Sequence, residues 1–208
     1  MSDKQRYWNI FWINVLIATI EISGRVITGS IALLSDGLHQ IGDAIGNLMS
    51  IMAEHLVQKG WNKHKVRGWS GLIKVLLLLL ACGEIMREMG GSLREKPDIN
   101  APGMALIAGI ACCLNWLAWR EAKKTKGEHA CCATPHLHHT SKNITSQSEE
   151  LHQEYDTYMS GITCLGGISI AYSNMHLIDL MISGIIVVRL LPKTIAMGIE
   201  AVRMIRAA

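Results

Sequence analysis

The sequence predicts an all-α integral membrane protein, a bundle of six transmembrane helices. Half of the 208 residues are apolar, yet only one is Phe, and the apolar residues come in long blocks. Five of these blocks approach or reach the roughly 20 residues that cross a bilayer as a helix, and a sixth is weaker and rich in small residues. Basic residues cluster between the blocks, and the net charge is only +3, which points to membrane topology and away from nucleic-acid binding.

The first helix is expected over residues 7–26. It has no cleavage motif behind a short apolar core, so it reads as a retained span and not as a signal peptide. After Gly29-Ser30 a second helix is expected over 32–57, making a hairpin with the first. A basic linker from Lys59 to Arg67 leads to a third helix over 70–89. A charged turn around Pro97 then leads to a fourth over 101–119, and these two read as a second hairpin. Residues 123–148 are polar, without apolar period, and read as a loop dividing the chain into 1–122, 123–148 and 149–208. The fifth helix is expected from near Ser148 to Tyr172 and the sixth from Leu177 to Ile205, with Pro192 as the expected kink.

With a cytosolic amino terminus, Lys4, Arg6, the 59–67 linker, residues 120–126, Lys142, Arg203 and Arg206 fall on the cytosolic side. The other side keeps Arg87, Arg94 and Lys96, offset by Glu88, Glu95 and Asp98, in line with the positive-inside tendency. Both termini are then expected in the cytosol, in the inner membrane if the source is bacterial. Cys82, Cys112, Cys113 and Cys164 lie in apolar runs, while Cys131 and Cys132 are adjacent in the polar loop. Adjacent cysteines rarely pair, so free thiols are expected.

The chemistry lies in a repeated pattern. His39 and Asp43, four apart in the second helix, share one helical face about a turn apart, and His152 and Asp156 repeat the spacing in the fifth. Two imidazoles and two carboxylates make the tetrahedral nitrogen and oxygen shell that zinc accepts. An ionisable group at membrane depth costs at least ~2.5 kcal/mol, so four of them ask for one shared explanation. Two neutral histidines and two carboxylates sum to minus two, which a divalent cation neutralises. Because metal ligands must be deprotonated, protons and metal compete, and a site facing each side in turn would exchange them. A purely structural role for either pair remains the alternative.

The segment Gly29-Ser30-Ile31-Ala32-Leu33-Leu34-Ser35-Asp36-Gly37-Leu38-His39-Gln40-Ile41-Gly42-Asp43 resembles the second-span signature of the cation diffusion facilitators. The likeness extends to Asn14, Asn115, the second HxxxD and Asp179. It implies that His39, Asp43, His152 and Asp156 form the transport site. Histidine at both first positions is similar to the zinc-preferring branch, while ligand type by itself leaves zinc, cobalt, cadmium and nickel open as substrates. Family members usually carry a cytosolic carboxy-terminal domain that binds metal and helps dimerise the protein. The sequence, ending at Ala208, leaves no room for it, and a homodimer stays an open alternative.

Several other residues carry a second reading. Asp36 either guides ions or caps the start of the second helix. His129, His136, His138, His139, Cys131 and Cys132 either capture metal or belong to a solvated linker. Glu149, Glu150 and Glu154 are expected to line a cytosolic vestibule. Glu21, Glu54, Glu84 and Asn47 fit a proton path or helix-to-helix hydrogen bonding. Gly161, Gly166, Gly167 and Ser169, with Ser183 and Gly184, are expected to bring the fifth and sixth backbones close. Arg189 and Lys193 are expected to snorkel to the cytosolic surface, with pairing to a buried acid as the alternative.

The expectation is therefore a zinc exporter driven by counterflow of protons, working in membrane lipid and not as an enzyme. The rivals are a membrane metal sensor or scaffold without transport, and a metal-dependent hydrolase. The hydrolase would need an open metal position holding water, and no nucleophile or general base stands out for it.

Overall fold

The computed structural model describes residues 3–95, 98–124 and 144–206. They form six helices and no strand: α1 (Asp3–Thr28), α2 (Ile31–Gln58), α3 (Lys63–Arg94), α4 (Ala101–Lys124), α5 (Ile144–Ser173) and α6 (Leu177–Arg206). The helices overrun the apolar blocks at several ends, because charged flanks can continue a helix beyond the segment that is apolar. α3 starts seven residues before the expected Ser70, capped by Asn62, whose Oδ1 accepts from the backbone of His64 at 2.9 Å and Lys65 at 3.2 Å. α5 starts at Ile144 rather than near Ser148, and α6 runs unbroken through Pro192.

Among the described residues, four stretches are long and apolar enough to cross a membrane by length and composition: 8–28, 64–94, 101–123 and 177–206. They lie in α1, α3, α4 and α6. α2 and α5 are diluted by polar residues, and those residues point inward: Asp36, Gln40, Asp43, Gln153, Asp156, Ser160 and Thr163 are all buried. The outer surface is the inverse, with Trp12, Leu76, Leu80, Leu106, Leu165 and Val188 exposed. A polar interior inside an apolar shell is the arrangement of a multi-pass membrane protein.

The helices close into a ring in which α1 packs on α2 and α4, α4 on α5, α5 on α6, α6 on α3 and α3 on α2. α2 also touches α5 and α6 across the ring. The expected second hairpin is therefore not a packed pair: α3 lies against α2 and α6, whereas α4 lies against α1 and α5. The reason is local. Asn100 donates its backbone N–H to Thr28 O at 2.8 Å, so the chain entering α4 is tied to the end of α1. Gly29 ends α1 with φ 74° and returns its N–H to Arg25 O at 2.9 Å. A side chain there would be strained by that φ and would also meet the Asp98 carbonyl, so glycine satisfies both demands.

Small residues set the α4–α5 seam. A Cβ on Gly167 would lie 2.7 Å from the backbone nitrogen of Ala105, and one on Gly161 would touch Cys112 Sγ at 3.7 Å. These glycines bring α5 against α4, not α6 as expected. Gly166 alone of the three faces α6, through Ile182 and Ile178, while Gly184 faces Met89 of α3. Where lipid is as apolar as leucine, close backbone approach and its dispersion contacts hold helices together. The apolar core of this interior includes Leu33, Cys82, Met104, Ala108, Met159 and Ile186. Cys82, Cys112, Cys113 and Cys164 are free thiols.

Candidate metal site

Two helices carry the candidate ligands, and each is anchored by polar contacts. Ser30 is the N-cap of α2, its Oγ accepting from Leu33 N at 3.2 Å. Asp179 of α6 completes the cap: it accepts from Ser30 Oγ at 2.6 Å, Ile31 N at 2.7 Å and Ala32 N at 3.2 Å. A carboxylate at a helix N-terminus takes up otherwise unpaired N–H groups and favours the positive end of the helix dipole. Asp36 is thus not the cap. It stands in the second turn, buried, with Oδ2 accepting from Ser160 Oγ at 2.9 Å.

From Ser160 a buried hydrogen-bond chain runs across the bundle. Asn115 Nδ2 donates to Ser160 Oγ at 2.9 Å, and Gln40 Nε2 donates to Asn115 Oδ1 at 3.1 Å. α2, α4 and α5 are thereby fixed to one another beside the site. In a low-dielectric interior these bonds are strengthened, while Gln40 Oε1 and Asp36 Oδ1 at the two ends of the chain are left without partners.

One turn away from Asp36 the two HxxxD pairs meet. His39, Asp43, His152 and Asp156 each offer one ligand atom, all within 4.8 Å of one another. His152 Nε2 lies 2.8 Å from Asp43 Oδ2, and His39 Nε2 lies 3.3 Å from Asp156 Oδ1. His39 Nδ1 lies 3.4 Å from Asp43 Oδ2, and His152 Nε2 lies 3.8 Å from Asp156 Oδ2. A tetrahedral shell with metal-to-ligand distances of about 2.0–2.2 Å has edges near 3.3–3.6 Å, so the set needs little rearrangement to enclose an ion. His39 Nδ1, Asp43 Oδ2 and Asp156 Oδ2 are buried with no hydrogen-bond partner. Buried acceptors in that condition are costly unless something else completes them.

A cavity of about 30 Å³ reaches the site, lined among others by Asp36, His39, His152, Tyr155, Asp156 and Arg189, and large enough for a water or a small ion. Of the three glutamates expected to line a vestibule, only Glu154 has a described side chain. Glu154 accepts from Tyr158 Oη at 3.3 Å, one turn along the outside of α5, and the side chains of Glu149 and Glu150 lie outside the described residues. Asp36 and Asp156 are the acids of the cavity wall, and its α6 side is basic. Arg189 stacks over the Tyr155 ring at 3.3 Å, and Lys193 Nζ lies 3.2 Å from His152 Nδ1. Both basic residues are exposed, and among the described residues one meets a ring face and the other an imidazole.

Lys74 is the neighbour that sequence reasoning missed. From α3 its Nζ reaches 3.3 Å from Asp43 Oδ1. The signal was present, since a lysine stands in an otherwise apolar run of a span, where ionisable groups mark function by default. Gln153 was also missed, next to His152 and buried with both amide atoms unpartnered. Glu21 and Asn14 are buried without hydrogen-bond partners on α1, while Glu84 is exposed and pairs with Arg87 at 2.6 Å. Asn47 is half-buried, and the Glu54 side chain lies outside the described residues. So do His129, His136, His138, His139, Cys131 and Cys132.

Residues 8–205 match the cation efflux transmembrane domain. A cadmium, cobalt and zinc/H(+)-K(+) antiporter of Bacillus velezensis is 31% identical over 107 residues, 48% of this chain and 34% of the relative. The vacuolar zinc transporter ZRC1 of Saccharomyces cerevisiae is 25% identical over 119 residues, 53% of this chain and 26% of the relative. The proton-coupled zinc antiporter SLC30A1 of Mus musculus is 25% identical over 118 residues, 52% of this chain and 23% of the relative. The matched stretches thus cover between 23% and 34% of these relatives' lengths. With the transmembrane domain matched over nearly the whole chain, the protein belongs to the cation efflux family.

Proposed function

We propose that this chain is a six-span transporter that moves zinc out of the cytosol in exchange for protons, through a site made of His39, Asp43, His152 and Asp156. The observation that carries the reading is the convergence of two HxxxD pairs, from two helices, on one point inside an apolar shell. Zinc is favoured over calcium or magnesium because imidazole nitrogens supply half of the ligands, where the harder ions take oxygen alone. Cobalt, cadmium and nickel share enough of that preference to be further substrates.

The chemistry follows from charge. The two carboxylates make the ligand set minus two, and a divalent ion brings it to zero at the depth where net charge is most expensive. Protons binding to the same imidazoles and carboxylates achieve a similar neutrality, so the site is stable either metallated or protonated. Alternating exposure of these two forms to opposite sides gives antiport. The relatives named as zinc antiporters support this direction of reasoning. All six helices span in this reading, α2 and α5 being carried by the apolar faces of their neighbours, with both termini cytosolic.

The test is reconstitution of the purified chain in vesicles holding a zinc-sensitive dye and a pH dye, beside His152→Ala and Asp43→Ala. Zinc flux with opposed proton movement, lost in both variants, is expected. Saturable zinc binding by the parent without flux would reject transport and leave a metal-binding membrane protein that senses or scaffolds.

A further inference from the structure

The ligand set is surrounded by positive charge from both flanking helices. Lys74 of α3 places its ammonium 3.3 Å from Asp43 Oδ1, and Lys193 of α6 places its own 3.2 Å from His152 Nδ1. Both touch ligand residues directly, one from α3 and one from α6. The two carboxylates of the site are thus accompanied by two ammonium groups, one on Asp43 and one on His152, which together carry the charge of one divalent cation. Arg189, the other cation at the cavity, is engaged by the Tyr155 ring.

A notch in α2 accommodates Lys74. Gly46 lies three residues after Asp43 on the same helical face, and a Cβ built there would sit 2.6 Å from Lys74 Cε and 2.7 Å from its Cδ. The lysine stem crosses bare backbone to reach the carboxylate, and any larger residue at position 46 would push it off. Lys193 constrains the second pair in another way. An ammonium group is a donor only, so it takes the Nδ1 lone pair of His152 and leaves the ring proton on Nε2, the atom that faces Asp43. A protonated Nε2 cannot coordinate metal.

We propose that Lys74 and Lys193 are tethered counter-cations: each occupies a ligand in place of the metal, is displaced when metal binds, and returns when it leaves. This rests on the four-residue set being a metal site. The lysines lower the affinity of the site by repelling the divalent ion and by competing for Asp43 and His152, and they speed release by offering the ligands a replacement charge. A transporter needs such a device, because a site too tight to let go does not turn over.

The experiment measures zinc binding by the purified full-length chain in detergent with a competing chelator dye, for the parent, Lys74→Met, Lys193→Met, Lys74→Arg and His152→Ala. Each methionine variant is expected to bind zinc about tenfold tighter than the parent, because a unit positive charge within contact of the ligands has been removed. Lys74→Arg keeps the charge and should stay within about threefold of the parent. Gly46→Ala, which lifts the Lys74 stem without touching its charge, should tighten binding in the same direction and carries the test if Lys74→Met does not fold. In vesicles the methionine variants should turn over more slowly despite tighter binding. Methionine variants with the parent's affinity, or weaker, would overturn the inference while His152→Ala still confirmed the metal site. A parent that binds no zinc at all would instead overturn the site itself, and the inference with it.

Discussion

Asp179 accepts the Ser30 hydroxyl at 2.6 Å across 149 residues of sequence, and so joins the start of α6 to the start of α2. Its other oxygen takes the Ile31 N–H at 2.7 Å, which makes one buried carboxylate responsible for the N-terminus of the helix that carries His39 and Asp43. Asp179→Ala should destabilise the fold by roughly 2–4 kcal/mol, since a buried hydroxyl and two N–H groups lose a charged acceptor. Asp179→Asn should cost about half as much. Thermal unfolding in detergent reads both, and an alanine variant that melts with the parent would show that the cap is dispensable.

Metal binding should weaken as pH falls. His39 and His152 must be neutral to donate nitrogen, so protons compete with metal for the same ligand atoms. Zinc affinity compared at pH 8 and pH 5.5 should fall by at least about tenfold for the parent. Cobalt, used as a coloured substitute, should show tetrahedral absorption at the higher pH that fades at the lower. An affinity flat between the two would remove both histidines from the ligand set.

The buried chain from Gln40 through Asn115 to Ser160 and Asp36 makes a separate prediction. Asn115→Ala leaves the Gln40 amide without its acceptor and Ser160 without its donor, at a cost of about 1–3 kcal/mol. Asn115→Leu fills the volume but not the hydrogen bonds, and should be no better. Both variants should lower the melting temperature, whereas a leucine variant as stable as the parent would mean the chain adds no stability.

Glycines can be sorted by what surrounds them. Gly167→Ala must push against the Ala105 backbone across the α4–α5 seam and should cost about 1–3 kcal/mol. Gly83 has open space where a Cβ would be, so Gly83→Ala should be neutral or stabilising by up to about 1 kcal/mol. Melting of the pair of variants in the same detergent should separate them, and equal melting would reject the close approach of the two helices.

The sequence alone determined a good deal about this protein. Blocks of apolar residues fixed the helical class, because a chain in lipid must satisfy its backbone internally. The four ligand candidates were legible because HxxxD spacing acts within one helix, where four residues bring side chains to one face whatever the rest of the chain does. Partnerships between helices were not legible in that way. Nothing in the local pattern of α5 says that Gly167 faces α4, that α3 and α4 part company, or that Asp36 bonds Ser160 while Asp179 caps α2. Lys74 shows the limit most clearly. Its position inside a span marked it as unusual, but only the packing of α3 on α2, with the notch at Gly46, decided that its charge meets Asp43, because the two residues are joined by space and not by sequence.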